Sequence, residues 1–193
     1  TLGAIKNAIG IGDSEPELRV GSEQSTISNA QRIIVATEKE KQDLTLYYGA
    51  EPGKISVIPC GVNMDIFRPQ DKIESRLRLG LGGEKTLLFV GRIDPLKGID
   101  RLIASIPLIS VEKNHRLIII GGDSASKDEI DKLRRQAESL GIGNSISFQG
   151  IVKQDELSYY YSAADVCVVP SYYESFGLVP LEALACGTPV VAT

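Results

Sequence analysis

Between residues 86 and 192 five short strand-like runs recur, 86–90, 117–120, 145–148, 166–169 and 189–192, with helix-forming segments between them. Runs such as Leu117-Ile118-Ile119-Ile120 and Val166-Cys167-Val168-Val169 are apolar throughout rather than alternating. That pattern suits strands covered on both faces. The intervening segments predict helices over 98–110, with apolar Ile99, Leu102, Ile103 and Ile106, and over 126–140, 154–163 and 181–185. Strands and helices in strict alternation form a parallel sheet wound by right-handed crossovers. Every loop that leaves the C-terminal end of a strand then opens on one edge, where open α/β sheets bind ligands.

The first third of the chain is less regular. Residues 1–30 read as loop-rich and polar, broken by Gly10, Gly12, Asp13, Ser14 and Pro16, with a helix within 16–30. A strand is expected at 32–36. Thr37, followed three residues later by Glu40, is a capping box that opens a helix over Glu38–Tyr48, and Gly49 stops it. A second strand follows at 55–58, and 59–69, with turn residues at both ends and no period, reads as a linker before a helix over about 70–79. The expected division is therefore 1–58, the end of one domain; 59–69, a linker; and 70–193, a second, Rossmann-like domain, cut short. A chain that starts without Met and stops on a strand is expected to be a fragment.

Composition narrows the partners. A net charge of −4, no Trp and 6% aromatic residues argue against nucleic acid, since neither a basic surface nor stacking platforms are apparent. Cys60, Cys167 and Cys186 form no C-x-x-C pair, so a reducing compartment is expected and no metal framework is offered. Cys167 reads as a small buried thiol in a strand, and the single His115 as a loop residue. No apolar run reaches the ~20 residues that span a bilayer.

The chemistry is expected at Glu174-Ser175-Phe176-Gly177-Leu178-Val179-Pro180-Leu181-Glu182. Strand, loop and helix N-terminus in that order offer free N–H groups and the positive end of a helix dipole to an anion. Gly177 lets the backbone approach a ligand closely. Two carboxylates beside an anion site suit hydroxyl groups better than phosphates. The loop 91–98 supplies Arg92, a fork of donors, and Lys97, a compact charge. These parts fit one ligand, a nucleotide-diphosphate sugar. Its base would meet backbone groups at Val152, its ribose Glu182, and its diphosphate Arg92, Lys97 and the amides of Phe176 to Leu178. The plainer alternative makes Glu174 a helix cap, Glu182 a solvated side chain, and Arg92 and Lys97 surface partners of Asp94 and Asp100, worth under ~1 kcal/mol. The G-x-G-x-x-G, G-x-x-x-x-G-K-[ST] and G-x-S-x-G patterns are absent from strand–helix junctions.

Gly91-Arg92 with Lys97-Gly98, Glu174-x₇-Glu182 around Ser-Phe-Gly, and Val57-Ile58-Pro59-Cys60-Gly61-Val62-Asn63 together resemble the retaining glycosyltransferases of family four. Thr1-Leu2-Gly3 with Lys6-Asn7 is similar to the branch of D-inositol-3-phosphate glycosyltransferases and sucrose-phosphate synthases. The resemblance implies an α/β GT-B fold. It also implies transfer of a hexose from a nucleotide-diphosphate sugar, uridine-linked, to a hydroxyl of a sugar or inositol phosphate. The retaining transfer would run on one face of the sugar, with no protein nucleophile, no cofactor besides the donor and no metal. Arg92 and Lys97 would contact the diphosphate, and Glu174 would lie beside the donor sugar. Gly91, Val152, Ser175, Phe176, Gly177, Leu178 and Glu182 would complete the donor site. Thr1 and Arg19 would hold the acceptor's phosphate, and Lys6 would join them in the acceptor site. The Cys-Gly-Val-Asn linker departs from the family's usual Asn-Gly-Val-Asp. A cytoplasmic enzyme with at most peripheral membrane contact is implied, inactive as this piece alone. A GT-B epimerase and a non-catalytic nucleotide-sugar-binding module remain as alternatives.

Overall fold

The computed structural model describes residues 2–10, 14–109 and 114–193. The chain divides into two compact units, one running to Gly61 and including Glu174–Phe176, the other Val62–Tyr173 with Gly177–Thr193.

In the first unit, helices α1 (Gly3–Ile9) and α2 (Glu17–Asn29) precede strand β1 (Ile33–Val35), helix α3 (Glu38–Tyr48) and strand β2 (Ile55–Val57). The two strands are parallel, with Ile33 opposite Ile55. Thr37 caps α3 by accepting from the Glu40 N–H at 3.1 Å. Glu40 returns the bond one residue earlier than expected, to the Ala36 N–H at 2.7 Å. Gly49 closes the helix in the left-handed conformation that favours glycine. Helix α1 was not expected in a region read as loop. Its Ala, Ile and Lys residues are adequate helix formers. Its start is held by a partner distant in sequence, since Glu23 Oε2 accepts from the Gly3 N–H at 2.8 Å.

The second unit is the wound sheet. After helix α4 (Lys72–Arg78) come β3 (Lys85–Val90), α5 (Ile99–Ser105), β4 (His115–Ile120), α6 (Lys127–Ser139), β5 (Ile146–Gly150), α7 (Gln154–Ala163), β6 (Val166–Val169), α8 (Leu178–Ala185) and β7 (Val190–Ala192). The strands lie in the order β5-β4-β3-β6-β7, all parallel. Successive side chains of a strand face opposite ways. Leu87, Phe89, Leu117 and Ile119 accordingly enter one core with Ile103 of α5 and Leu133 of α6. Leu88, Ile118 and Ile120 enter the other, with Tyr161 of α7 and Ala183 of α8. That two-sided burial is why the runs Leu87–Val90 and Leu117–Ile120 are apolar at every position rather than at alternate ones.

Three boundaries differ from expectation for local reasons. The helix predicted over 98–110 ends at Ser105 and continues as a 3-10 turn, Ile106–Leu108, because Pro107 has no N–H to give the preceding turn. Helix α8 starts three residues early, at Leu178. Pro180 is tolerated there because first-turn N–H groups have no partner inside the helix. His115, expected in a loop, is the first residue of β4 and pairs with Lys85.

At the opposite end of the sheet from the strand C-termini, Asp165 ties three elements together. Its carboxylate accepts from the Thr86 N–H at 2.9 Å and from Lys72 Nζ at 3.0 Å. Burial works to raise its pKa, but the Thr86 N–H and the Lys72 and Lys85 ammonium groups outweigh it and hold the carboxyl below its usual range. A depressed folded-state pKa contributes stability that is present above the unfolded value, near ~4, and is lost as pH falls through the folded one. Asp165→Asn is therefore expected to cost about 1–3 kcal/mol at pH 7 and clearly less at pH 3. Urea titrations at the two pH values read the difference; an equal cost at both would contradict the ionic account.

Candidate active site: a rim of interlocked loops

The chain winds from β3 outward through β4 to β5, then returns to place β6 on the other side of β3. Between β3 and β6 lies the point where winding reverses, and crevices of this kind receive ligands outside the strands' C-terminal ends. At that rim the loops touch backbone to backbone. The Gly91 N–H donates to the Ile120 carbonyl at 3.0 Å and the Gly121 N–H to the Gly150 carbonyl at 2.8 Å. Gly121 has φ 127°, and a Cβ there would lie 1.8 Å from the Gly91 oxygen. Across the reversal, the Tyr172 N–H donates to the Leu96 carbonyl at 2.9 Å. Gly98, at φ 63°, leaves no room for a Cβ, which would stand 2.1 Å from the Pro170 oxygen. The loops after β3, β4, β5 and β6 are thus one interlocked assembly.

Arg92 stands on this rim with 73% of its side chain exposed. Its nearest carboxylate, Asp94, is 4.0 Å away. Asp94 is occupied as a cap, accepting from the Leu96 N–H at 2.9 Å. A pair of that length and exposure contributes little, so the guanidinium can turn to a ligand at small cost. Lys97 is half-buried at the end of the 3-10 turn Pro95–Lys97. Beside Arg92 opens a cleft of about 440 Å³, within the range of small-molecule sites. It is lined by Gly91, Arg92 and Val152, and also by Gly121, Asp123 and Ser126. Lys97, Glu182, Gly177 and Leu178 do not line it. Neither Asp123 nor Ser126 is among the expected site residues. The Asp123-Ser124-Ala125-Ser126 string that marks them is a capping box, closed in both directions.

Gly177, at φ 83°, is the N-cap of α8 and Leu178 its first residue. With Val179, they leave three N–H groups that the helix cannot satisfy, Pro180 having none. Glu182 is one turn further on, half-buried, and its Oε2 accepts from the Tyr161 hydroxyl at 2.7 Å. Burial raises the Glu182 pKa, and the Tyr161 hydrogen bond acts against that rise. Burial, then the nearby Glu182 charge, pushes the thiols of Cys167 and Cys186 up to about 12 and about 11. Neither can serve as a thiolate nucleophile near neutral pH.

Glu174, Ser175 and Phe176 belong to the first unit. There the Thr37 hydroxyl donates to the Ser175 carbonyl at 3.2 Å. Two residues expected in the acceptor site are in the same unit, both engaged by carboxylates. Lys6 meets Glu15 at 2.7 Å, and Arg19 meets Glu15 at 2.7 Å and Glu23 at 3.0 Å. Glu15 is held below the usual carboxylate range chiefly by the Lys6 hydrogen bond, with Arg19 adding to it against desolvation. Thr1 lies outside the described residues.

The family profile described as glycosyl transferases group 1 matches residues 71–193. A second, described as Glycosyltransferase Family 4, matches residues 15–66. The chain is 46% identical over 201 residues to D-inositol 3-phosphate glycosyltransferase 2 of Catenulispora acidiphila, covering 100% of the chain and 47% of that protein. It is 44% identical to D-inositol 3-phosphate glycosyltransferase of Frankia alni, covering 100% and 49%. Among solved structures, sucrose-phosphate synthase from Thermosynechococcus elongatus matches with a TM-score of 0.84 at 36% identity, over 100% of this chain and 48% of that one. The chain spans about half the length of the curated relatives it matches.

Proposed function

The chain belongs to the group 1 glycosyl transferases and carries part of a GT-B fold, and on that premise we propose that the whole protein is a retaining hexosyltransferase. Its donor is a nucleoside-diphosphate hexose, uridine-linked, and its acceptor a hydroxyl of a sugar or inositol phosphate. The acceptor class is supported by the names of relatives at 46% and 36% identity. One observation carries the donor half: four crossover loops interlock at the C-terminal ends of the strands, with Arg92 exposed beside a cleft of about 440 Å³ that Gly91 and Val152 also line.

In this reading Arg92, Lys97 and the first amides of α8 stabilise the departing nucleoside diphosphate. Donors already aimed at charge that develops in the transition state need no reorganisation when it forms. At ~4 Å and an effective dielectric near 20, each cation contributes about 4 kcal/mol before desolvation. Glu182 takes the ribose hydroxyls, which a carboxylate accepts readily and a phosphate-binding group does not. Backbone groups at Gly91 and Val152 face the nucleoside. For Glu174, in the first unit, resemblance alone supplies a place beside the donor sugar, and the proposal stands on the second-unit residues. The acceptor hydroxyl oxygen bonds to the sugar carbon on the face from which the diphosphate departs, so no protein nucleophile is required, and a leaving-group oxygen takes the acceptor's proton, so no protein base is required.

Incubating the whole protein with nucleotide sugars and phosphorylated acceptors, read by mass spectrometry, tests this. One hexose should move to the acceptor, with nucleoside diphosphate released in equal amount. Donor altered without acceptor, or donor bound without turnover in any combination, would contradict it.

A further inference from the structure

Tyr161 is fully buried, yet its hydroxyl makes its hydrogen bond to a carboxylate rather than to backbone. A phenol in an apolar core costs about 1–3 kcal/mol unless its oxygen is satisfied, and a phenylalanine would fill the same space without that demand. Three other contacts hold the residue still. The ring meets Phe67 edge-on at 6.1 Å and 66°. Its backbone carbonyl accepts from the Thr188 hydroxyl at 2.6 Å and from the Ala164 N–H at 3.1 Å. Thr188 is in turn bonded to the end of α8 through the Ala183 carbonyl at 2.9 Å. Helix side chains lean toward the N-terminus of their helix. Both α7 and α8 begin where strands end, so Tyr161 and Glu182 lean toward the ligand rim.

We infer that Tyr161 is a positioning residue for the donor site: by occupying Oε2 of Glu182 it fixes the carboxylate's rotation and leaves Oε1 oriented for the nucleotide's ribose hydroxyls. The inference rests on the proposed ribose role of Glu182. A glutamate left to itself has three rotatable bonds, and holding it costs side-chain entropy at each binding event. A rigid donor underneath removes that cost beforehand, the usual way binding sites gain affinity and selectivity together. The phenol donates and stays protonated, because burial and the Glu182 charge both push its pKa upward.

The test compares ribose with deoxyribose. Uridine, adenosine and guanosine diphosphates are titrated calorimetrically into the whole protein, and the tightest binder is compared with its 2′-deoxy and 3′-deoxy forms. A ribose hydroxyl bound to a carboxylate should give the unmodified protein a preference of roughly tenfold or more over at least one deoxy form. Tyr161→Phe keeps the ring and its packing on Phe67. It should cut that preference below about threefold while leaving deoxynucleotide affinity within about twofold, a pattern that loss of fold would not produce. Glu182→Gln should abolish the preference, and adding Tyr161→Phe to it should change nothing further. A melting curve checks each variant. Should Tyr161→Phe be unfolded at the assay temperature, Thr188→Val, which loosens the tyrosine but spares its hydroxyl, is expected to show a smaller loss of the same sign. A folded variant that keeps the full preference overturns the inference and spares the ribose role. An unmodified protein with no preference overturns both.

Discussion

Arg92→Ala in the whole protein is expected to lower kcat/KM for the donor by about 10²–10³, the usual cost of removing one donor aimed at transition-state charge. Lys97→Ala should cost a similar factor. The fold should survive Arg92→Ala, because an exposed guanidinium 4.0 Å from Asp94 contributes little to stability. Nucleotide affinity should separate the two accounts of this residue. If it meets phosphate, the loss on Arg92→Ala is largest for the nucleoside diphosphate and vanishes for the nucleoside, and added salt shrinks it. Arg92→Lys should recover part of the activity, since charge returns but the two-pronged geometry does not. Unchanged transfer in both alanine variants would contradict the phosphate roles of Arg92 and Lys97.

Gly121→Ala is expected to be the most damaging small substitution in the second unit. Two costs add. A residue with φ 127° is outside the region that L side chains adopt readily, and the new methyl would stand 1.8 Å from the Gly91 oxygen. Backbone cannot swing aside as a side chain can, so the loop after β3 has to move. A loss of at least ~2 kcal/mol is expected. Gly150→Ala is the control. Its φ of 69° carries left-handed strain, but nothing lies within 4 Å of the added carbon. It should cost only about 1–2 kcal/mol. Urea titrations that rank Gly150→Ala as equal or worse would mean the rim is looser than its hydrogen bonds indicate. Nucleotide affinity in any folded Gly121→Ala protein should drop as well, because Arg92 rides on the displaced loop.

How much of this was readable beforehand depended on whether the cause was local. The Thr37 and Glu40 cap, the extent of α7 over Gln154–Ala163 and the two-sided strands follow from residues a few positions apart, and the sequence states them. Helix α1 escaped because Glu23, twenty positions away, satisfies its first N–H. The Gly91–Gly121 approach was not legible, because a contact between loops thirty positions apart needs the strand order. Glu182 shows the limit most clearly. Its place on a helix follows from the helix-forming run 181–185, whereas its Tyr161 partner lies on another helix and carries no mark in a run of three tyrosines. The resemblance offers Lys6 and Arg19 to an acceptor, yet both meet carboxylates: Glu23 lies one turn along the same expected helix as Arg19, whereas Glu15, which engages both cations, sits in the stretch before it and carries no mark of that contact.

A crystal of the whole protein grown with a nucleoside diphosphate tests the central idea most directly: crossover loops far apart in the chain converge to clasp one activated sugar. The diphosphate oxygens should lie within ~3 Å of Arg92 and Lys97 nitrogens, with the ribose hydroxyls on Glu182. A nucleotide seated elsewhere, or bound at this rim with those three side chains turned away from it, would contradict the account.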